Sequence, residues 1–153
     1  MITFHKTTIE EVMTLGDFEE LFKKMRINGM EVVDIISHLQ RIPLMKACDY
    51  DGSFLGMLSV ESSEAFEVEV HAYVLPEHRK RSKELLGAFK EALFTMTPFT
   101  SIKTSVTGDF KPLVRFLGFI GFEVVGVDRG VINKGSQTYD MFYLKTYKES
   151  NYG

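Results

Sequence analysis

The sequence has 153 residues, 44% hydrophobic and 25% charged, which is the size and make-up of one ordinary folded domain. Eighteen Lys and Arg against 21 Asp and Glu leave a formal charge of −3, which speaks against a protein that coats nucleic acid. A lone cysteine, Cys48, excludes an internal disulfide, and His5, His38 and His78 have no partners at ligand spacing, so no metal site is expected. No apolar stretch reaches membrane-spanning length and the first residues carry no signal-peptide pattern. The expectation is a cytoplasmic protein that binds neither membrane nor nucleic acid.

Residues from about Ile2 to Lys6 predict a short strand. Thr7 with Glu10 and Thr8 with Glu11 form two overlapping capping boxes that start a helix. Gly16-Asp17 interrupts it, and Asp17 can cap a second helix to about Arg26, with Phe18, Leu21, Phe22 and Met25 at helical spacing. A further short helix is expected over Glu31–Gln40. From Pro43 the period changes. Leu44–Tyr50 and Phe54–Val60 read as a hairpin joined at Asp51-Gly52, and Glu61–Glu64 as a second turn. In the strand Ala65–Leu75, residues Phe66, Val68, Val70, Ala72 and Val74 alternate with Glu67, Glu69, His71 and Tyr73.

Pro76 ends that strand, and Glu77–Met96 is the most strongly periodic helix, closed by Pro98. Ile102–Val106 is a strand. Gly108-Asp109 turns into a helix with Pro112 in its first turn, where a missing amide costs least. Gly121-Phe122 opens a strand to Val127, Arg129–Ser136 reads as a loop, and Gln137–Lys145 is the last strand. The predicted fold is an α/β mixed sheet of order β-α-α-β-β-β-α-β-α-β-β, one domain over residues 1–153 with a flexible tail.

Val74-Leu75-Pro76-Glu77-His78-Arg79 resembles the end of the fourth strand in the GNAT superfamily of N-acetyltransferases, and the helix running into Gly121-Phe122 resembles a second patch of it. The resemblance implies acetyl-CoA as cofactor, an amine acceptor as partner, and a homodimer. It places the pyrophosphate turn on Arg79, Lys80, Arg81, Ser82, Lys83 and Glu84, and the pantetheine arm against Tyr73 and Val74. Two family glycines become Ser82 and Glu84. Glu84 is expected to crowd and repel a diphosphate, with Arg79, Lys80, Arg81 and Lys83 compensating in part. The family's acidic tyrosine falls on Leu117.

Direct acetyl transfer needs a base for the acceptor ammonium. Glu69, His71 and Glu67, in that order of preference, lie about 7 Å apart along one strand face. The alternative is a plain exposed polar face. The segment Arg115–Phe122 also resembles GNAT-like proteins from the virion-morphogenesis clusters of short-tailed bacteriophages. That resemblance implies a non-catalytic, virion-associated module in head assembly, with a phage or host protein as its partner.

Overall fold

The computed structural model describes residues 1–149; the expected tail lies outside them, in residues 150–153. The chain runs through β1 (Thr3–Thr7), α1 (Ile9–Leu15), α2 (Glu19–Met25), α3 (Val32–Leu39), β2 (Leu44–Cys48), β3 (Phe54–Glu64) and β4 (Glu67–Val74). It continues through α4 (Ser82–Met96), β5 (Ser101–Thr107), α5 (Lys111–Phe119), β6 (Glu123–Lys134) and β7 (Gln137–Tyr147). Local chemistry explains the boundaries. Thr8 accepts from the Glu11 amide to cap α1, and Asp17 accepts from the Glu19 amide ahead of α2. Thr97 is extended before Pro98, which ends α4. Gly121, at φ 101°, completes a Schellman turn after α5: its amide donates to Gly118 O and the Phe122 amide to Leu117 O.

Among the described residues seven strands form one mixed sheet, ordered β1-β2-β3-β4-β5-β7-β6. Every pairing is antiparallel except β4 with β5. Along β4 the faces separate. Val68 and Val70 pack with Leu85, Phe89 and Leu93 of α4. Tyr73 packs on the other face with Val12, Phe18, Phe22 and Leu39 of the α1–α3 layer. Leu117 of α5 joins Val106 and Leu144 beside α4. The sheet is therefore buried between two helical layers, with β4 at its centre.

The structure corrects four expectations. Three helices, not the two of the condensed order, precede β2. The turn expected at Glu61–Glu64 is strand: β3 runs on to Glu64, and the chain reverses at Ala65-Phe66, where Phe66 takes φ 64°. Phe66 is consequently 60% exposed rather than part of the core face. The helix expected from Glu77 begins as a 3-10 turn over Pro76–Arg81 and becomes α-helical only at Ser82. Of the loop expected at Arg129–Ser136, residues up to Lys134 are the end of β6 and only Gly135-Ser136 form the turn. An irregular register between Asp128 and Ile132, with Gly130 at φ 61°, lets the hairpin continue to Lys134.

Candidate active site

The site originates in a pairing that stops early. β4 and β5 pair only at Glu67–Ser101, Val68–Ile102 and Glu69–Lys103, although the two strands run on to Val74 and Thr107. Their unpaired halves line a cleft of about 590 Å³. Leu21, Lys24 and Met25 of α2 wall it on one side of the sheet, and residues of α4 and α5 on the other, so the cleft passes through the sheet. Gly56 of β3 supports this end of β4. A Cβ there would meet Tyr73 O at 2.6 Å and the Val74 Cα at 3.0 Å.

The three strand candidates have separate fates. Glu67 is 7% exposed, and its carboxylate accepts from Lys145 Nζ at 2.8 Å and Ser101 Oγ at 3.2 Å. Lys145, followed by Ser101, holds its pKa below the usual carboxylate value against the opposing effect of burial. It is outside the cleft wall and is spent on a structural ion pair. His71 lines the cleft. Its Nε2 lies 3.2 Å from Glu69 Oε2 and its Nδ1 3.4 Å from Thr104 Oγ1. The His71 bond lowers the Glu69 pKa most, with the charges of His71, Lys103 and His38 adding to it. An ionised carboxylate only accepts, so the Nε2–H points toward Glu69 whether or not the ring is charged; in the neutral ring this leaves the lone pair on Nδ1.

Tyr73, Val74, Arg79 and Ser82 also line the cleft. Burial pushes the Tyr73 phenol up, opposed by a hydrogen bond with Ser59. The basic turn differs from the expected backbone cradle. Arg79–Arg81 lie in the 3-10 segment and Ser82–Glu84 in the first turn of α4, and the Ser82 amide donates to Arg79 O instead of facing outward. Arg81 is bonded to Asp49 and, through Nε and Nη2 at 3.1–3.2 Å, to the Glu84 carboxylate. The expected crowding by Glu84 is thereby answered within the protein, because its charge is held on a guanidinium. Lys83 Nζ lies 5.8 Å from the Phe119 ring centroid, Lys80 is exposed, and neither lines the cleft.

Several cleft residues had no sequence signal. Thr104 and Ser105 are in the cleft wall from β5, and Phe110 and Lys134 also line it. Lys134 Nζ bonds Asp109 Oδ2 at 2.6 Å and Lys24 O at 2.9 Å, and lies 4.9 Å from the Phe110 ring centroid. Leu117 stands buried in the cleft wall without a hydroxyl, as the sequence implies.

A seven-stranded mixed sheet, helices on both faces and a gap between its fourth and fifth strands define the fold class as that of the GNAT acetyltransferases. Solved structures agree. A GNAT-family acetyltransferase from Bacillus anthracis matches with a TM-score of 0.76 and 13% identity, over 97% of this chain and 96% of that one. A phosphinothricin acetyltransferase from Sinorhizobium meliloti, in complex with acetyl-CoA, matches at 0.72 and 15%, over 99% and 94%. A variant spermidine N-acetyltransferase from Vibrio cholerae matches at 0.74 and 11%, over 95% and 94%. By sequence, no protein-family model and no curated protein matches the chain. No helix among the described residues is long and apolar enough to cross a membrane.

Proposed function

We propose that this protein is an N-acetyltransferase that takes its acetyl group from acetyl-CoA and places it on a primary amine. The observation that carries the reading is the open gap between β4 and β5, with His71 in its wall and the hydrogen-bonding edge of Val70–Val74 unmatched by β5. A ligand amide has a strand edge to pair with there, at Tyr73 and Val74. Arg79 and Ser82 stand in the same cleft on the α4 side, where a diphosphate would meet a guanidinium and a hydroxyl. Bound acetyl-CoA supplies an activated acyl group as its thioester.

The chain's own work is proton handling and exclusion of water. His71 Nδ1 accepts the proton of the acceptor ammonium, and Glu69, on the opposite ring nitrogen, fixes the tautomer and balances the imidazolium that results. Leu21, Met25, Phe110 and Phe116 provide an apolar surround that keeps bulk water from the reacting amine. Glu69 is accordingly a positioning residue, and His71 replaces it as first choice of base. Arg81 and Glu84 act on the turn by holding each other.

The test is acetyl-CoA binding by thermal shift, followed by thiol release with an amine panel. Binding at 100 times the Kd should stabilise the fold by about 2.7 kcal/mol. His71→Ala should retain that shift and lose at least about 100-fold in kcat, the usual worth of a positioned base. An absence of any shift at millimolar acetyl-CoA would overturn the enzyme reading and leave the virion-assembly resemblance of Arg115–Phe122 as the better account.

A further inference from the structure

A second cavity, of about 440 Å³, opens beside the cleft between the α2–α3 connection and the β6–β7 turn. The two cavities share Lys24 and Lys134 in their walls, so they adjoin there. The smaller one is built rather than incidental. Asn28 donates its amide to Asn133 O at 2.7 Å and its side-chain NH₂ to Gly135 O at 3.0 Å. It also accepts from the Gly135 amide on Oδ1 at 3.0 Å. With Lys134 Nζ on Lys24 O, these bonds tie the tip of the β6–β7 hairpin across more than 100 residues of sequence to the end of α2.

The charge of this pocket is one-sided. Lys23, Lys24, Arg26 and Lys134 line it, against the single carboxylate of Glu31, which already holds Arg26 at 2.9 Å. Lys23 pairs with Glu19 and Glu20, but those side chains are half exposed or more, and such pairs are weak and readily exchanged. Lys134 is committed to Asp109. Lys24 has no ion-pair partner among the described residues. A polyamine would bring further ammonium groups to a wall where four cationic side chains stand against one carboxylate, Glu31.

We infer that this pocket receives an anionic group on the acceptor, so that the amine acylated beside His71 belongs to an anion-bearing molecule of the amino-acid class. This inference rests on the N-acetyltransferase reading. The acceptor's ammonium sits in the large cleft and its carboxylate in the pocket, with Lys24 at the junction supplying the charge. The fold itself is neutral on this point. Its neighbours include enzymes named for phosphinothricin and for spermidine.

Three amines of matched length decide it: 4-aminobutyrate, 3-aminopropylphosphonate and 1,4-diaminobutane. Each is titrated into the ¹⁵N-labelled protein, with the Gly29 and Gly135 amides as reporters, and each is assayed for acetyl transfer. The expected result is that both anions shift those two amides and the diamine does not. The acids should also be acetylated with at least about tenfold higher kcat/KM. Lys24→Gln should erase that preference by raising KM for the acids about tenfold, the scale of one hydrogen bond between charged groups. It should leave the acetyl-CoA thermal shift in place. Diamine turnover equal to or above that of the acids, or reporter amides unmoved by either anion, overturns the anionic acceptor while the enzyme reading stands. Loss of the acetyl-CoA shift in the unmodified protein defeats both.

Discussion

If a ligand arm threads the sheet, filling the gap should abolish binding while leaving the fold intact. Ala72 is the position of choice. It is exposed, lies in the unpaired half of β4, and lines the cleft. Ala72→Phe therefore projects a ring into existing space rather than into packed core, where added methylenes would force strain. Burying roughly 100 Å² of ring against the apolar wall at about 25 cal/mol/Å² gives an upper value of about 2.5 kcal/mol. Ordering the side chain takes back up to about 1 kcal/mol. The apo variant should then melt about 3–6 °C higher than the parent, using 2–4 °C per kcal/mol for a domain of this size. In the parent, acetyl-CoA at 100 times the Kd should add about 5–11 °C. In the variant that increment should disappear, and the smaller Ala72→Leu should lose only part of it. A full acetyl-CoA shift in a folded Ala72→Phe protein would show that the arm does not pass between β4 and β5.

Glu84→Gly, which on sequence grounds should relieve repulsion, is expected to change acetyl-CoA affinity less than about threefold by calorimetry, because Arg81 already holds that carboxylate; a tenfold gain would mean the charge faces the ligand. Gly56→Ala should displace β4 at Tyr73–Val74 and weaken acetyl-CoA binding more than it lowers the melting temperature; unchanged binding would refute the supporting role given to Gly56. Glu67 and Glu69 both titrate below the usual value of 4.5 in the folded state, Glu67 chiefly through Lys145 and Glu69 chiefly through His71. Their stabilisation is therefore complete above about pH 5 and is lost as pH falls through the depressed folded values. Melting curves should decline on that acid limb, and Glu67→Gln should flatten it. Leu85→Ala, at a fully buried contact between α4 and the sheet, should cost about 3 kcal/mol in urea unfolding; under 1 kcal/mol would mean the contact repacks.

What the sequence revealed depended on whether the deciding chemistry was local. The Thr8 cap and Pro112 in the first turn of α5 are each settled within a few residues and stand where expected; the hairpin at Asp51-Gly52 also forms, but with β2 ending at Cys48 rather than Tyr50 and the loop closed by the Asp49 amide donating to Ser53 O. Glu61–Glu64 misled because Glu-Ser-Ser-Glu has the composition of a turn, while its backbone is held by pairing to β4 far along the sheet. Arg129–Ser136 misled for a related reason. Gly130 and Gly135 serve a bulge and a hairpin tip, and β7 keeps the intervening residues in the ladder. In the site, the strand alternation brought Glu69 and His71 into view and put Glu69 first, whereas His71 is the one that lines the cleft. Which one faces the cleft depends on where β5 leaves β4. Thr104, Lys24 and Lys134 were invisible because only the tertiary fold brings them to the cleft from three separate elements.

The departures at Ser82 and Glu84 have a common physical sense. A glycine-rich turn presents backbone amides to an anion because nothing else uses them. Here a 3-10 segment ends at Arg81 and α4 begins at Ser82, the Ser82 amide is committed to Arg79 O, and Arg81 is drawn off to Asp49 and Glu84. The clamp ties the start of α4 to the end of β2, so the turn is made rigid by ion pairs in place of close backbone packing. If acetyl-CoA binds as proposed, its diphosphate would meet side-chain charge, chiefly that of Arg79, and the affinity should fall with added salt. The gap between β4 and β5 needs none of those glycines, since it follows from where strand pairing stops. The gap is thus independent of the turn's composition, and it is present here with serine and glutamate at Ser82 and Glu84.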